Sequence, residues 1–266
     1  LFKRDFLASY KKSFIGFTWI FIAPIVGIIS WVFLNMTGVL QPGDVGIPYP
    51  AYVLIGTSMW GLFMGFYESA TQTLSSGKDL VMQVNYPHEA LLFKQTSQIL
   101  ANFLIGFVMN IVILIAFGVI PSWQIIFFPI VVLPLFFLGA AIGLVGSMIS
   151  IVAIDLDKII KMGMGLLLWV TPVIYSDRVE SPIIQSIIQW NPLTYLVCSS
   201  RDIIIYGRLY DATGYFICTG LALFLFLISW RLFYVSENKI VERMMQIAGG
   251  NLRVIINGDI YEFGNF

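Results

Sequence analysis

The side chains able to do chemistry are few and scattered. Gly77-Lys78, inside SSGKDLVMQVNYPHEALLFK at residues 75–94, has the ending of a phosphate-binding loop. That loop needs G-x-x-x-x-G-K-[ST], with backbone amides and a lysine on the phosphates and a hydroxyl on magnesium. Gln72 stands where the first glycine belongs and Asp79 where the hydroxyl belongs, so no nucleotide site is expected in this chain. His88 is the sole histidine, with no cysteine beside it and no second histidine at ligand spacing, which argues against a metal centre. Glu68 is the one carboxylate inside an apolar run. A proton relay needs several such groups, so a snorkelling or lysine-paired carboxylate is expected. Cys198 and Cys218 read as packing residues. The expected inventory is therefore no catalytic residue, no metal and no cofactor.

Composition points instead to a membrane. The sequence is 58% hydrophobic and 15% aromatic with only 11% charge, and its mean hydropathy is +0.87, beyond what the core of a soluble domain needs. Basic and acidic residues balance at 15 each, so no net field suggests nucleic acid binding. The chain begins at Leu1 without a charged-apolar-small cleavage pattern; no signal peptide is expected, and the natural start is expected upstream.

A spanning helix takes about 20 apolar residues, because each residue rises about 1.5 Å across a core ~30 Å thick. Apolar runs predict an all-α integral membrane protein with six spans at about 15–40, 50–75, 94–118, 122–154, 159–176 and 212–233. Residues 95–154 carry no charge and would reach roughly 90 Å as one helix, so they must fold back once. Gly118 and Pro121 in GVIPSW supply the turn. Residues 1–240 form one transmembrane domain, followed by a tail at 241–266. In that tail Asn257-Gly258 between RVII and DIYEF signals a hairpin.

Six spans place both termini on one side, and the positive-inside rule makes that side the cytoplasm. Every Lys and Arg except Arg178, Arg201 and Arg208 falls in the N-terminus, the 75–94 loop, the 155–161 turn or the C-terminus. Small residues at Gly61 and Gly65, at Gly139, Gly143 and Gly146, and at Gly163 and Gly165 suit close helix contacts, within one chain or between subunits.

Two segments are neither loop nor span. Residues 1–14 put Phe2, Phe6, Leu7, Tyr10 and Phe14 on one helical face opposite Arg4, Lys11 and Lys12, as an amphipathic helix lying in the cytoplasmic interface does. On the outer side, residues 182–206 predict two short helices dipping back from the surface. Ile183, Ile184, Ile187 and Ile188 form an apolar face of the first, followed by Trp190. Asn191 caps the second and Pro192 opens it, Arg201 lies within it, and Gly207 ends it.

These segments carry a family likeness. YKKSFIGFTWIFIAPI at 10–25, NYPHEALLF in the loop, AIDLDKIIKMGMGLLLWVTPVIYS, and WNPLTYLVCSSRDIIIYG resemble, in order, the permease subunits of ABC-type polysaccharide exporters of the Wzm-like kind. The likeness runs over about residues 1–240. It departs where Ile154 precedes Asp155 in place of an Arg-Asp pair, and where the tail runs past the usual end. It implies two permeases forming a homodimer around a channel, in the bacterial cytoplasmic (inner) membrane. Two ATPase subunits that bind ATP and Mg would sit below, driving export of a polyprenyl-linked O-antigen, teichoic acid or capsule chain. By the same likeness Tyr10 to Gly16 and Gly77 to Leu92 would meet the ATPase. Lys78, Asp79, Leu80, Val81 and Val84 would form a short coupling helix, with Pro87, His88 and Glu89 in the turn back to the membrane. Ile184, Ile187, Ile188, Trp190, Asn191, Pro192 and Arg201 would form an outer gate. A glycan offers hydroxyls and weakly apolar C–H faces, so Trp19, Trp31, Trp60, Phe63, Tyr67, Trp169 and Tyr175 are candidates to line its path, although such aromatics also anchor helices at membrane interfaces. Export of a smaller lipid or drug, or a membrane enzyme acting on lipid intermediates, stays open.

The topology has a direct test. Cysteines introduced as Lys78→Cys and Arg178→Cys should behave oppositely in intact cells: an impermeant maleimide should label position 178 and spare position 78. The reverse pattern would invert the chain in the membrane.

Overall fold

The computed structural model describes residues 19–83, 88–152 and 154–257, with the backbone alone at 19–21, 23–24, 73–83, 88–91, 151–152, 154 and 237–257. The expected interface helix at 1–14, with Tyr10 and Gly16, and the loop residues Val84 and Pro87 lie outside the described residues. Within them every regular element is helical: α1 (Trp19–Met36), α2 (Tyr49–Gln83), α3 (His88–Ala116), α4 (Phe128–Val131), α5 (Leu133–Val152), α6 (Ile154–Val170), α7 (Pro182–Trp190), α8 (Pro192–Ile205) and α9 (Ala212–Asn257). Leu92–Ala116, Trp123–Ser150 and Ala212–Ser236 are each long and apolar enough to cross a membrane.

Several boundaries differ from the sequence expectation, each for a local reason. The coupling segment is no separate helix: α2 runs unbroken from Tyr49 to Gln83, since Gly77 is the weakest helix former between Ser75 and Gln83 and a single glycine is tolerated inside a helix. The span expected at 122–154 opens with a 3-10 turn at Trp123–Phe127 and is interrupted at Val132. There Pro134 has no N–H to give and its ring crowds the preceding turn. Helix α6 stops at Val170 rather than 176, because Pro172 ends it and restricts Thr171 before it. Helix α9 continues through Arg253–Ile256, where a hairpin's first strand was expected. The turn between α3 and the 3-10 segment falls as expected, with Gly118 at φ +78°.

Helix α2 is the axis of the bundle, packed by α1, α3, α5 and α8, and α9 covers the far side of α5. Its side chains Met59, Leu62, Phe63, Phe66 and Tyr67 are buried. At Gly139 and Gly143 helix α5 comes directly against its backbone. A Cβ on Gly139 would lie 3.0 Å from the Phe63 carbonyl oxygen and 3.1 Å from Phe66 Cβ, and one on Gly143 would overlap the Tyr67 carbonyl oxygen. Close approach of this kind gains dispersion contacts where lipid offers no hydrophobic drive between helices. On the other side Asn110 Nδ2 of α3 donates to Ser58 Oγ at 2.8 Å. Phe107 stacks on Phe128 with ring centroids 4.8 Å apart.

The glycine contact yields a paired prediction. Gly143→Ala should destabilise the purified protein by about 1–3 kcal/mol through overpacking. Gly61→Ala, with nothing within 4 Å of the added carbon, should stay within about 0.5 kcal/mol. Thermal unfolding in detergent measures both, and equal melting of the two variants would show that α2 and α5 are not in this register.

Candidate functional site

The early end of α6 creates a concentrated polar site. Residues 171–176 leave the helix and turn at the end of the bundle that also holds residues 37–48, α7 and α8. Carbonyls freed at a helix end must find donors when buried, and side chains from two other helices supply them. Asn191 Nδ2 donates to the Val170 carbonyl at 3.2 Å and to Thr171 Oγ1 at 2.9 Å. Its Oδ1 accepts from Leu193 N–H at 3.0 Å, capping α8. Tyr52 Oη donates to the Tyr175 carbonyl at 2.8 Å and Tyr49 Oη to the Ile174 carbonyl at 3.0 Å. Gly56 has no Cβ where the Val173 carbonyl presses against α2. Ser176 N–H closes the turn on the Pro42 carbonyl at 2.7 Å.

At the centre lies Arg201, only 4% exposed. Its Nη1 donates to the Pro172 carbonyl at 3.3 Å and its Nε to Asp202 Oδ1 at 3.1 Å. The guanidinium sits 4.3 Å from the Tyr52 ring centroid, close enough for cation–π attraction. Burial raises the Asp202 carboxyl above its ordinary range, against the pull of Arg201. Burial pushes the Cys198 thiol up to about 12, so it stays protonated and packs, and Cys218 is likewise free and buried. Beside Arg201 opens a cavity of about 290 Å³, reaching Asp44, Asp177, Arg178 and Tyr206. Tyr210 Oη donates to Asp177 Oδ2 at its rim at 2.6 Å.

The gate residues expected from sequence converge here in part. Asn191, Pro192 and Arg201 build the latch. On α7, Ile188 is buried while Ile184 and Ile187 are exposed, and Trp190 is 88% exposed. The aromatic set divides. Phe63 and Tyr67 are 0% and 1% exposed, packed between α2 and α5, so within this chain they are core residues rather than lining. Trp31 and Trp169 meet edge to face at 6.2 Å, Trp169 being 57% exposed. Tyr175 Oη donates to the Trp169 carbonyl at 2.8 Å. Trp60 is half-buried beside Phe63, and Trp19 opens α1. Lys78, Asp79, Leu80 and Val81 lie on the far extension of α2, and His88 and Glu89 begin α3, at the opposite end of the bundle from the latch. Among the described residues no three His, Cys, Asp or Glu side chains gather as a metal site.

Sequence reasoning missed Tyr49, Tyr52, Asp177, Asp202 and Tyr210. Only the unusual placement of charges beside apolar helices hinted at them, since their partners lie far along the chain. Arg201→Leu should cost about 3–5 kcal/mol, because Asp202 is left buried without its cation. Asn191→Ala should cost about 1–2 kcal/mol through the lost cap. Chemical unfolding in detergent tests the order, and an Arg201→Leu protein as stable as wild type would show that Arg201 does not hold this end of the bundle together.

The sequence that builds these helices is similar to that of known proteins. The model of the ABC-2 type transporter family matches residues 1–205, which is α1 through the end of α8. The O-antigen export system permease protein RfbA of Myxococcus xanthus is 27% identical over 215 residues, 80% of this chain and 81% of that protein. A Klebsiella pneumoniae protein of the same name is 24% identical over 229 residues, 83% and 85% of the two chains. With a match that takes in the central α2–α5 contact and the whole latch, this chain belongs to the ABC-2 type transporter family of membrane permeases.

Proposed function

We propose that this chain is the permease subunit of an ATP-driven exporter that moves a polyprenyl-linked, O-antigen-like polysaccharide across the bacterial cytoplasmic (inner) membrane. The observation that carries the reading is the similarity to O-antigen export permeases over about four-fifths of each chain. Two identical permeases pair, and two separate ATPase subunits bind ATP and Mg and supply the energy. In this reading α1, α2, α3, the α4–α5 pair, α6 and the apolar part of α9 are six spans with both termini in the cytoplasm. The latch end then faces outward, and the α2–α3 end, with residues 78–89, faces the ATPase.

Geometry supports a channel face on α1 and α6. Ile159, Met162, Leu166 and Trp169 of α6 are exposed, and Gly163 and Gly165 have no neighbour within 4 Å. A second copy laid against this side would enclose the Trp31–Trp169 pair. Aromatic faces pass a sugar chain by stacking, which holds weakly and releases readily.

Trp169→Ala should therefore lower surface polysaccharide by about two- to tenfold, the worth of one aromatic contact, at unchanged amounts of membrane protein. Phe63→Ala should instead reduce the folded protein itself, by about 3–5 kcal/mol of lost core packing. Both are scored in a strain lacking the chromosomal copy, by blotting of surface glycan and of the permease. Unaltered surface polysaccharide in the deletion strain would overturn the proposed function.

A further inference from the structure

The cavity beside Arg201 has chemistry that the latch does not use. We infer that it is a binding subsite for a neutral sugar unit of the exported glycan. The inference rests on the polysaccharide reading above and adds to it a location and a ligand class.

Charge decides the class first. Three guanidinium groups, Arg178, Arg201 and Arg208, line the cavity together with three carboxylates, Asp44, Asp177 and Asp202. Their formal charges cancel. A phosphate or uronate would meet three carboxylates without a surplus of cations, and a metal ion would meet three guanidiniums. A neutral polyol suits the mixture, because each sugar hydroxyl both donates and accepts. Neighbouring hydroxyls can bridge a carboxylate and a guanidinium in charge-assisted bonds.

Size and rigidity agree. At about 290 Å³ the cavity lies at the small end of the range for small-molecule sites, roughly 300–1,000 Å³, which fits a sugar ring rather than a lipid tail. Its floor is fixed by the Arg201–Asp202 pair and the Arg201 bond to the Pro172 carbonyl, so binding need not order those groups. Its rim comes from separate stretches of chain. Asp44 accepts from Gly46 N–H at 3.0 Å, and Gly46, at φ +72°, would put a Cβ 3.0 Å from Tyr206 Oη. Tyr206, 43% exposed, carries Arg208 at 5.7 Å from its ring centroid and adds an aromatic surface. A seated sugar would bridge the 37–48 loop, the 171–178 turn and the end of α8. Release must follow for export to proceed, so affinity is expected to be low, in the millimolar range that saturation-transfer NMR reads well.

The test uses the full chain purified in detergent, with D-mannose, D-galactose, L-rhamnose and N-acetyl-D-glucosamine as probes. At least one should receive saturation from the protein. The double variant Asp44→Asn/Arg178→Gln, which leaves Arg201, Asp202 and Asn191 intact, should weaken its binding by about tenfold or more while eluting as wild type on size exclusion. Inorganic phosphate and D-galacturonate at equal concentration should not displace it. No bound neutral sugar, unchanged binding in the double variant, or displacement by phosphate would each overturn the subsite and leave the permease assignment standing. Surface polysaccharide that persists without this chain would instead overturn the permease assignment, whatever the cavity binds.

Discussion

A helix that stops short inside a bundle leaves carbonyl oxygens that neither water nor its own next turn can satisfy. Helix α6 stops at Val170, and much of the architecture at that end answers this constraint. Two tyrosines on α2, an asparagine between α7 and α8 and an arginine on α8 all send donors to residues 170–175. Remove the break at Pro172 and those donors lose their purpose. Keep the break and the two short helices must stay where they are, since they carry the donors. The cost of an unpaired buried carbonyl, about 1–3 kcal/mol each, is large enough to fix the packing of α7 and α8 against α2 and α6.

A second constraint works at the middle of the bundle. Helices α2 and α5 touch through backbone at Gly139 and Gly143, and that leaves Phe63 and Tyr67 no open surface. The aromatic residues therefore serve two distinct ends. Those on α2 that face α5 fill the interior, and the Trp31–Trp169 pair stands on the side that this chain leaves uncovered. Burial, rather than residue type, separates the two groups.

Much of this was legible in the sequence, and the rest fails for identifiable reasons. The turn at Gly118 and the Asn191-Pro192 cap depend on local stereochemistry, which neighbouring residues fully determine, and both stand as expected. The break at Pro172 was missed even though proline is a strong breaker, because the apolar run continued through Val173 and Ile174 and hydropathy outweighed it. That the helix expected around Lys78–Val81 is continuous with α2 was missed for the converse reason: polarity after Ser75 suggested a break before it, but helix propensity does not fall with polarity. The latch was illegible in kind. Tyr52 and Tyr175 stand 123 residues apart, and no periodicity joins a phenol on one helix to a carbonyl beyond the end of another. Likewise Trp169 on α6 reads in sequence much as Phe63 and Tyr67 on α2 do, so exposed and buried aromatics could not be told apart before packing was known.

Helix α9 has a mechanical consequence of its own. Its 46 residues make a rod of roughly 69 Å, more than twice the hydrocarbon thickness of a bilayer. Ala212–Ser236 has the composition of a span, and the helical backbone continues past it to Asn257. Where it stays straight, a helix of that length would act as a lever arm. A tilt of roughly 5° where α9 lies against α5 swings the far tip of a ~30 Å projection by about 3 Å, which turns a sub-ångström adjustment between packed helices into a displacement as large as an atom's diameter.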